Sequence, residues 1–320
     1  MVITLFHSTV REHRKIKNEI SNMGKKQRGQ MSRKRRAVSP VISTLILSAA
    51  VLAVTVIASF LALNILELQS QQTEFSQATS NLQILAEIVE NTGIKPGSGS
   101  FIRFNQRTGG IGYEENSQPL NLVVYNGTSS ANNNWTLTNK PLNVTYRGGS
   151  LVSTFNQIIR PSNNNMNNLT YTQLNNNNTL IVSDQTNPFG LLTQRQLDGS
   201  WLNLDFNRVR IETGSTINVG RDQYQLVTVT FFNVTHGEFR GSGSLDVKVQ
   251  NNGVDLKQFY YYHGGDPSKN VNISLFHGSI PASLPSICLR SQGCYSIPAD
   301  SNTKGIIVMV TISNLKLETL

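Results

Sequence analysis

Between Arg36 and Glu67 the chain carries no charged side chain, and from Val41 to Leu66 it is a nearly continuous apolar run. As a helix rising about 1.5 Å per residue, that run is about 39 Å long, which exceeds the roughly 30 Å hydrocarbon core of a bilayer. Such a segment is stable in lipid or among other apolar helices, because a helix satisfies its own backbone hydrogen bonds in either setting. Its start is written in local chemistry. Ser39 can accept hydrogen bonds from the free N–H groups of a first turn, and Pro40 suits the first helical position, where its fixed φ helps and its missing N–H is not needed. Arg36, Ala37 and Val38 are then expected to be extended, the form a protease accepts.

The formal charge of +9 and isoelectric point of 9.6 suggest a nucleic-acid binder until the charges are placed. Residues 1–36 hold 11 of the 28 Lys and Arg and only two acids, Glu12 and Glu19; the remainder carries 17 bases and 17 acids. No basic face is implied beyond the leader, so nucleic acid is not an expected partner. Lys and Arg on one flank of a spanning helix hold that flank in the cytoplasm, which places Leu68 onward outside. Translation from Met31 would give the short leader Met-Ser-Arg-Lys-Arg-Arg-Ala.

The row Lys34-Arg35-Arg36-Ala37-Val38-Ser39-Pro40-Val41-Ile42, followed by an uninterrupted apolar helix, resembles the class III signal sequence of archaeal type IV pilin-like proteins. The resemblance covers about 35 residues. It implies that a membrane aspartyl prepilin peptidase cuts between Ala37 and Val38, with Arg36 and Ala37 flanking a second choice. It also implies a retained helix that becomes the packing core of a filament built on an assembly platform. Bacterial pilins carry Glu at the fifth mature position, a residue that archaeal members often lack; here that position is Ile42. Val41, Ile42, Leu45, Ala49, Ala50, Ala53, Val54 and Ala58 are the residues expected to pack in that core, since small and branched side chains let apolar helices approach closely.

From Leu68 the pattern turns amphipathic: Leu68, Phe75, Ala78, Leu82, Leu85 and Val89 fall on one stripe, with Gln71, Gln72, Glu74, Gln77 and Glu87 on the rest. The spacing predicts a helix over 38–92, membrane-spanning over 41–66, then a Gly/Pro/Ser linker over 93–100. An ordinary anchor followed by a coiled-coil stalk would show the same stripe. Beyond Ser100 the period becomes two. Leu245, Val247 and Val249 alternate with polar residues up to Asn252-Gly253, which reads as the turn of a hairpin running on to Tyr262. Further strands are expected at 121–125, 142–146, 180–183, 202–212, 227–231, 271–276 and 305–317. The fold class is therefore α+β: a long N-terminal helix, apolar then amphipathic, followed by a mainly antiparallel, β-sandwich-like domain over 101–320.

Asn clusters at 132–134, 163–168 and 175–178 read as exposed loops. Sequons lie at Asn126, Asn134, Asn143, Asn168, Asn177, Asn233 and Asn272, about the five to six that this composition yields by chance. Glycosylation rests on the outward placement of the domain and on the family resemblance, not on the count. Cys288 and Cys294 are the only cysteines. An even number outside the cell favours a small disulfide-closed loop over two free thiols, and Cys-x5-Cys without nearby histidines is not a usual zinc spacing.

Signals for chemistry are sparse. His263-Gly264-Gly265-Asp266 offers two ligands and no third, and a Gly-Gly turn explains it equally well. Thr108-Gly109-Gly110-Ile111-Gly112 lacks the Lys-Ser/Thr of a phosphate loop. Tyr260-Tyr261-Tyr262 could hold two rings outward or pack all three. No catalytic, metal or cofactor residue is expected. The leading expectation is a non-catalytic, adhesive filament subunit that sits in the membrane before assembly. The rivals are a permanently anchored receptor and a secreted glycan-active enzyme, although the apolar run exceeds the roughly 7–15 residues of a removable signal.

Overall fold

The structure, a computed structural model, describes residues 40–126, 133–160, 181–182, 188–238, 243–264, 266, 269–281, 284, 288 and 293–320. The cleavage residues Arg35, Arg36, Ala37 and Val38, the cap Ser39, and the sequons Asn168 and Asn177 lie outside the described residues. The chain divides into two units, Met1–Ile65 and Leu66–Leu320.

The helix α1 (Pro40–Ile94) has two chemically different parts. Every residue of 41–66 is exposed. Beyond it, Phe75, Ala78, Leu82, Leu85, Ala86 and Val89 are buried, so the stripe expected from the spacing is the face that packs from Phe75 on, while Leu68, its expected first member, is exposed. Full burial of a large apolar side chain stabilises by about 1.5–3 kcal/mol. Two polar residues assigned by pattern to the wet side, Gln71 and Glu74, are buried as well.

Fifteen strands follow among the described residues: β1 (Gly99–Gln106), β2 (Gly110–Glu115), β3 (Leu120–Asn126), β4 (Asn133–Thr138), β5 (Leu142–Arg147), β6 (Gln157–Arg160), β7 (Ile181–Val182), β8 (Leu191–Gln196), β9 (Ser200–Asp205), β10 (Val209–Val219), β11 (Asp222–His236), β12 (Gly243–Tyr262), β13 (Val271–His277), β14 (Cys294–Ile297) and β15 (Gly305–Thr319). They form a central sheet β1-β12-β15-β11-β10-β7, a sheet β14-β13-β3-β4 and a sheet β2-β5-β9-β8-β6. Pairing is antiparallel except for β11 with β15 and β7 with β10. The architecture is α+β, with a strand-rich, mostly antiparallel domain.

Two cores lie on opposite faces of the central sheet. Leu315 and Leu317 of β15 join the amphipathic half of α1 and the inner face of the β2-β5-β9-β8-β6 sheet in one core. Ile306, Val308, Val310 and Ile312 join the β14-β13-β3-β4 sheet in the other. Because side chains alternate along a strand, the change from even to odd numbers in β15 marks the change of face. β11 does the same, with Val227, Val229 and Phe231 in the second core and Phe232 and Val234 in the first.

β12 changes face differently, and this corrects the hairpin expected at Asn252-Gly253. The chain does not turn back there; β12 runs through to Tyr262, paired with β15 from Val247 onward and carrying a bulge between Asn251 and Gly253. One extra residue shifts the alternation. Leu245, Val247 and Val249 therefore serve the first core, while Phe259 and Tyr261, also odd-numbered, serve the second. Gly253, at φ 151°, supplies the backbone conformation, and the Asn251 side-chain oxygen accepts its N–H at 2.9 Å. The expected strand over 202–212 is likewise two strands. Asp205 accepts the N–H of Asn207 at 2.7 Å, an Asx turn that breaks the run between β9 and β10. Asn133 and Asn134, expected in a loop, begin β4.

Candidate functional site: an exposed apolar helix and a buried carboxylate

The apolar part of α1 is the chain's most distinctive chemical feature. It is the one helix among the described residues long and apolar enough to cross a membrane. Four of its hydroxyls bond back to the helix: Thr44 donates to the Val41 carbonyl, Ser48 to Leu45, Thr55 to Val51 and Ser59 to Thr55, all at 2.8–3.0 Å. A hydroxyl bonded to its own helix carries little penalty into hydrocarbon, where an unmet donor costs several kcal/mol. Val41, Ile42, Leu45, Ala49, Ala50, Ala53, Val54 and Ala58 are all exposed. Ala50, Val54 and Ala58, four residues apart, share one face.

Leu66 onward is fastened by polar groups as well as by its apolar stripe. The Glu74 carboxylate accepts the backbone N–H groups of Arg107 (2.9 Å), Thr108 (3.0 Å) and Gly109 (3.0 Å), the Thr108 hydroxyl (2.6 Å) and the Tyr146 hydroxyl (3.0 Å). Burial alone would raise its pKa, but the donors from Thr108, Gly109, Arg107 and Tyr146 outweigh that and hold it at about 2. Tyr146 is correspondingly pushed far above its ordinary value, by burial first and by the neighbouring carboxylate second. The backbone N–H groups of Arg107, Thr108 and Gly109 thus do form an anion-binding nest, and its anion is the protein's own Glu74. A Cβ at Gly109 would lie within 2.6 Å of the Arg147 carbonyl, so glycine is required there.

Other polar ties run along the helix. Gln71 accepts the Leu151 N–H at 2.9 Å, and Asn81 donates to the Arg103 carbonyl at 3.0 Å. Glu90 accepts the Gly190 N–H at 3.0 Å and pairs with Arg160 at 3.1 Å. At the C-terminus of α1, Asn251 donates to the carbonyls of Thr92 (2.9 Å) and Gly93 (3.3 Å), and Ser313 donates to Gly93 at 2.7 Å. These side chains meet carbonyls that the helix cannot pair itself. The bulge in β12 is what brings Asn251 to this position.

The remaining sequence-derived sites are scattered. Cys288 and Cys294 form a disulfide, with Cys294 packed beside Val123 and Tyr125. Asn134 is exposed on β4 and Asn126 partly exposed at the end of β3. Asn143 is engaged with Asn207, and Asn233 donates to Asn314 at 2.9 Å. Asn272 is 4% exposed in β13, which leaves no room for an oligosaccharide in the folded chain. His263 is buried beside the Thr303 hydroxyl at 3.3 Å, and among the described residues no group of three His, Cys, Asp or Glu is placed to hold a metal. Tyr260 and Tyr262 point outward at 59% and 65% exposure, with Tyr261 buried between them. Sequence reasoning missed the Glu74 nest, whose partners lie 33 to 72 residues away. The carboxylate opposite a Gly-rich row was the only signal available for it. Compared with protein-family models, curated proteins and solved structures, the chain matches none.

Proposed function

We propose that the chain is a structural subunit of a cell-surface filament of the type IV pilus kind, assembled through its N-terminal helix after removal of the basic leader. The observation that carries this reading is the contrast within α1: 41–66 is uncharged and exposed throughout, with four of its hydroxyls bonded to the helix itself, while Phe75, Ala78, Leu82, Leu85 and Val89 are buried. Before assembly, lipid surrounds the exposed part, with the leader in the cytoplasm and the β-rich domain outside. Once a prepilin peptidase has removed the charged leader, nothing polar tethers the helix to the cytoplasmic face. Neighbouring copies of the helix, brought together on an assembly platform, then replace lipid. The protein acts in adhesion or attachment and not as a catalyst.

N-terminal sequencing of the mature protein from isolated cell envelopes tests this. A start at Val38 or Ala37 supports the filament subunit, an intact Arg36-Ala37-Val38 segment supports a permanent anchor, and a start beyond Ala50 supports a secreted protein.

A further inference from the structure

We infer that the outer face of the β2-β5-β9-β8-β6 sheet binds a neutral oligosaccharide against Trp201, a site independent of the filament reading. Leu202 and Leu204 of β9 and Val144 and Tyr146 of β5 point into the core. Trp201, Asn203, Thr145 and Arg147, which alternate with them, therefore project from the opposite face. Register places Arg147, Trp201 and Arg195 in one cross-strand row and Gly112, Thr145 and Asn203 in the next. A cavity of about 420 Å³ opens there, lined by Thr145, Arg195, Leu197, Asp198, Trp201 and Asn203, with Tyr113 and Glu114 at its β2 side.

Three observations point to a sugar. The indole is held in place: Trp201 Nε1 donates to Asp198 at 2.8 Å, and the Arg147 guanidinium sits 5.3 Å from the ring centroid. A fixed, partly exposed aromatic ring offers the apolar face that the C–H side of a pyranose stacks on. Around it stand planar polar ends, the Asn203 amide, the Asp198 and Glu114 carboxylates and the Arg195 guanidinium, whose geometry matches paired hydroxyls. Acidic and basic groups are mixed, so neither an anion nor a cation is selected.

The third observation is Gly112. It has no positive φ, and a Cβ there would meet only Thr145 Oγ1, at an ordinary 3.6 Å; Gly110, also without positive φ, has nothing within 4 Å. Neither backbone nor packing demands glycine at these positions. Their effect is to keep the β2 side of the trough open.

The test uses the full chain with Trp135→Phe, in lauryldimethylamine oxide micelles, whose headgroup carries no sugar. Cellotetraose, maltotetraose and N-acetylchitotetraose are titrated against iodide quenching of Trp201. At least one tetrasaccharide is expected to shield the indole with a Kd near or below about 1 mM. Gly112→Val, or Gly110→Val with it, is expected to weaken binding about tenfold at unchanged melting temperature, and Gly112→Ala by less than about threefold. The inference is overturned if no tetrasaccharide shields Trp201 up to about 20 mM, or if a folded Gly112→Val or Gly110→Val/Gly112→Val protein binds as tightly as the parent.

Discussion

The Tyr146 hydroxyl donates to the Glu74 carboxylate at 3.0 Å, across 72 residues of sequence, and in doing so closes a shell of five donor groups around one buried acid. The folded-state pKa, about 2 against an ordinary 4.5, makes this shell a source of pH-dependent stability. A group whose pKa is depressed by folding contributes fully above its unfolded value and loses that contribution as pH falls through the folded one. The window is therefore about pH 4.5 down to 2, with roughly 3 kcal/mol at stake at about 1.4 kcal/mol per unit. Glu74→Gln should lower the melting temperature at pH 7 and flatten its fall between pH 5 and 2. Parallel melts of the two proteins at each pH check this, and identical acid profiles would refute it.

The C-terminus of α1 should be sensitive to the strand that caps it. Asn251→Ala removes a donor to the Thr92 and Gly93 carbonyls and the acceptor that holds the Gly253 bulge. A loss of about 1–3 kcal/mol is expected in chemical denaturation. Gly93→Val should cost more, because a Cβ there would collide with the Phe232 ring; about 2–4 kcal/mol is expected, with a matching drop in urea midpoint.

Removing the disulfide by Cys288→Ser with Cys294→Ser opens a loop closed across a sequence separation of 6. Short loops gain little from closure, so about 2–3 kcal/mol of stability is expected to go. The parent under reductant should melt at the same temperature as the double variant, as differential scanning calorimetry can show.

The exposed apolar helix should tolerate little charge. Ala53→Arg introduces a group that costs about 2.5–3.5 kcal/mol at the centre of a membrane-spanning helix. The variant should shift from the membrane to the soluble or aggregated fraction on carbonate extraction, while Ala53→Leu should not.

The helical stripe was legible because Phe75, Ala78, Leu82, Leu85 and Val89 repeat with the helix period, and one face of a surface helix must be buried. Nothing local distinguished Glu74 from Glu87, which is exposed; only the approach of β1, β2 and β5 does so. The Asn252-Gly253 pair misled for a related reason. Asn-Gly favours the conformations of a tight turn, and the same residues equally serve a bulge when a partner strand, here β15, runs past on one side. Asp205 and Asn207 broke an apparently continuous β run because a short side-chain bond competes with the ladder. The outward face around Trp201 was invisible in the linear text, since its residues come from four strands.

The bulge at Asn251 makes the length of β12 a matter of parity. Asn252 is the one residue whose deletion would keep the pairing on both sides, because Asn251 opposite Leu315 and Gly253 opposite Asn314 would then be consecutive; a single deletion between Val254 and Gln258 would instead turn Phe259 and Tyr261 away from the second core, whereas a loop at the surface would absorb the same deletion unnoticed. Viable descendants of this chain should accordingly lose a single residue in β12 only at Asn252 and change length elsewhere in the strand only in even steps, a constraint that reaches both interiors from a single peptide unit.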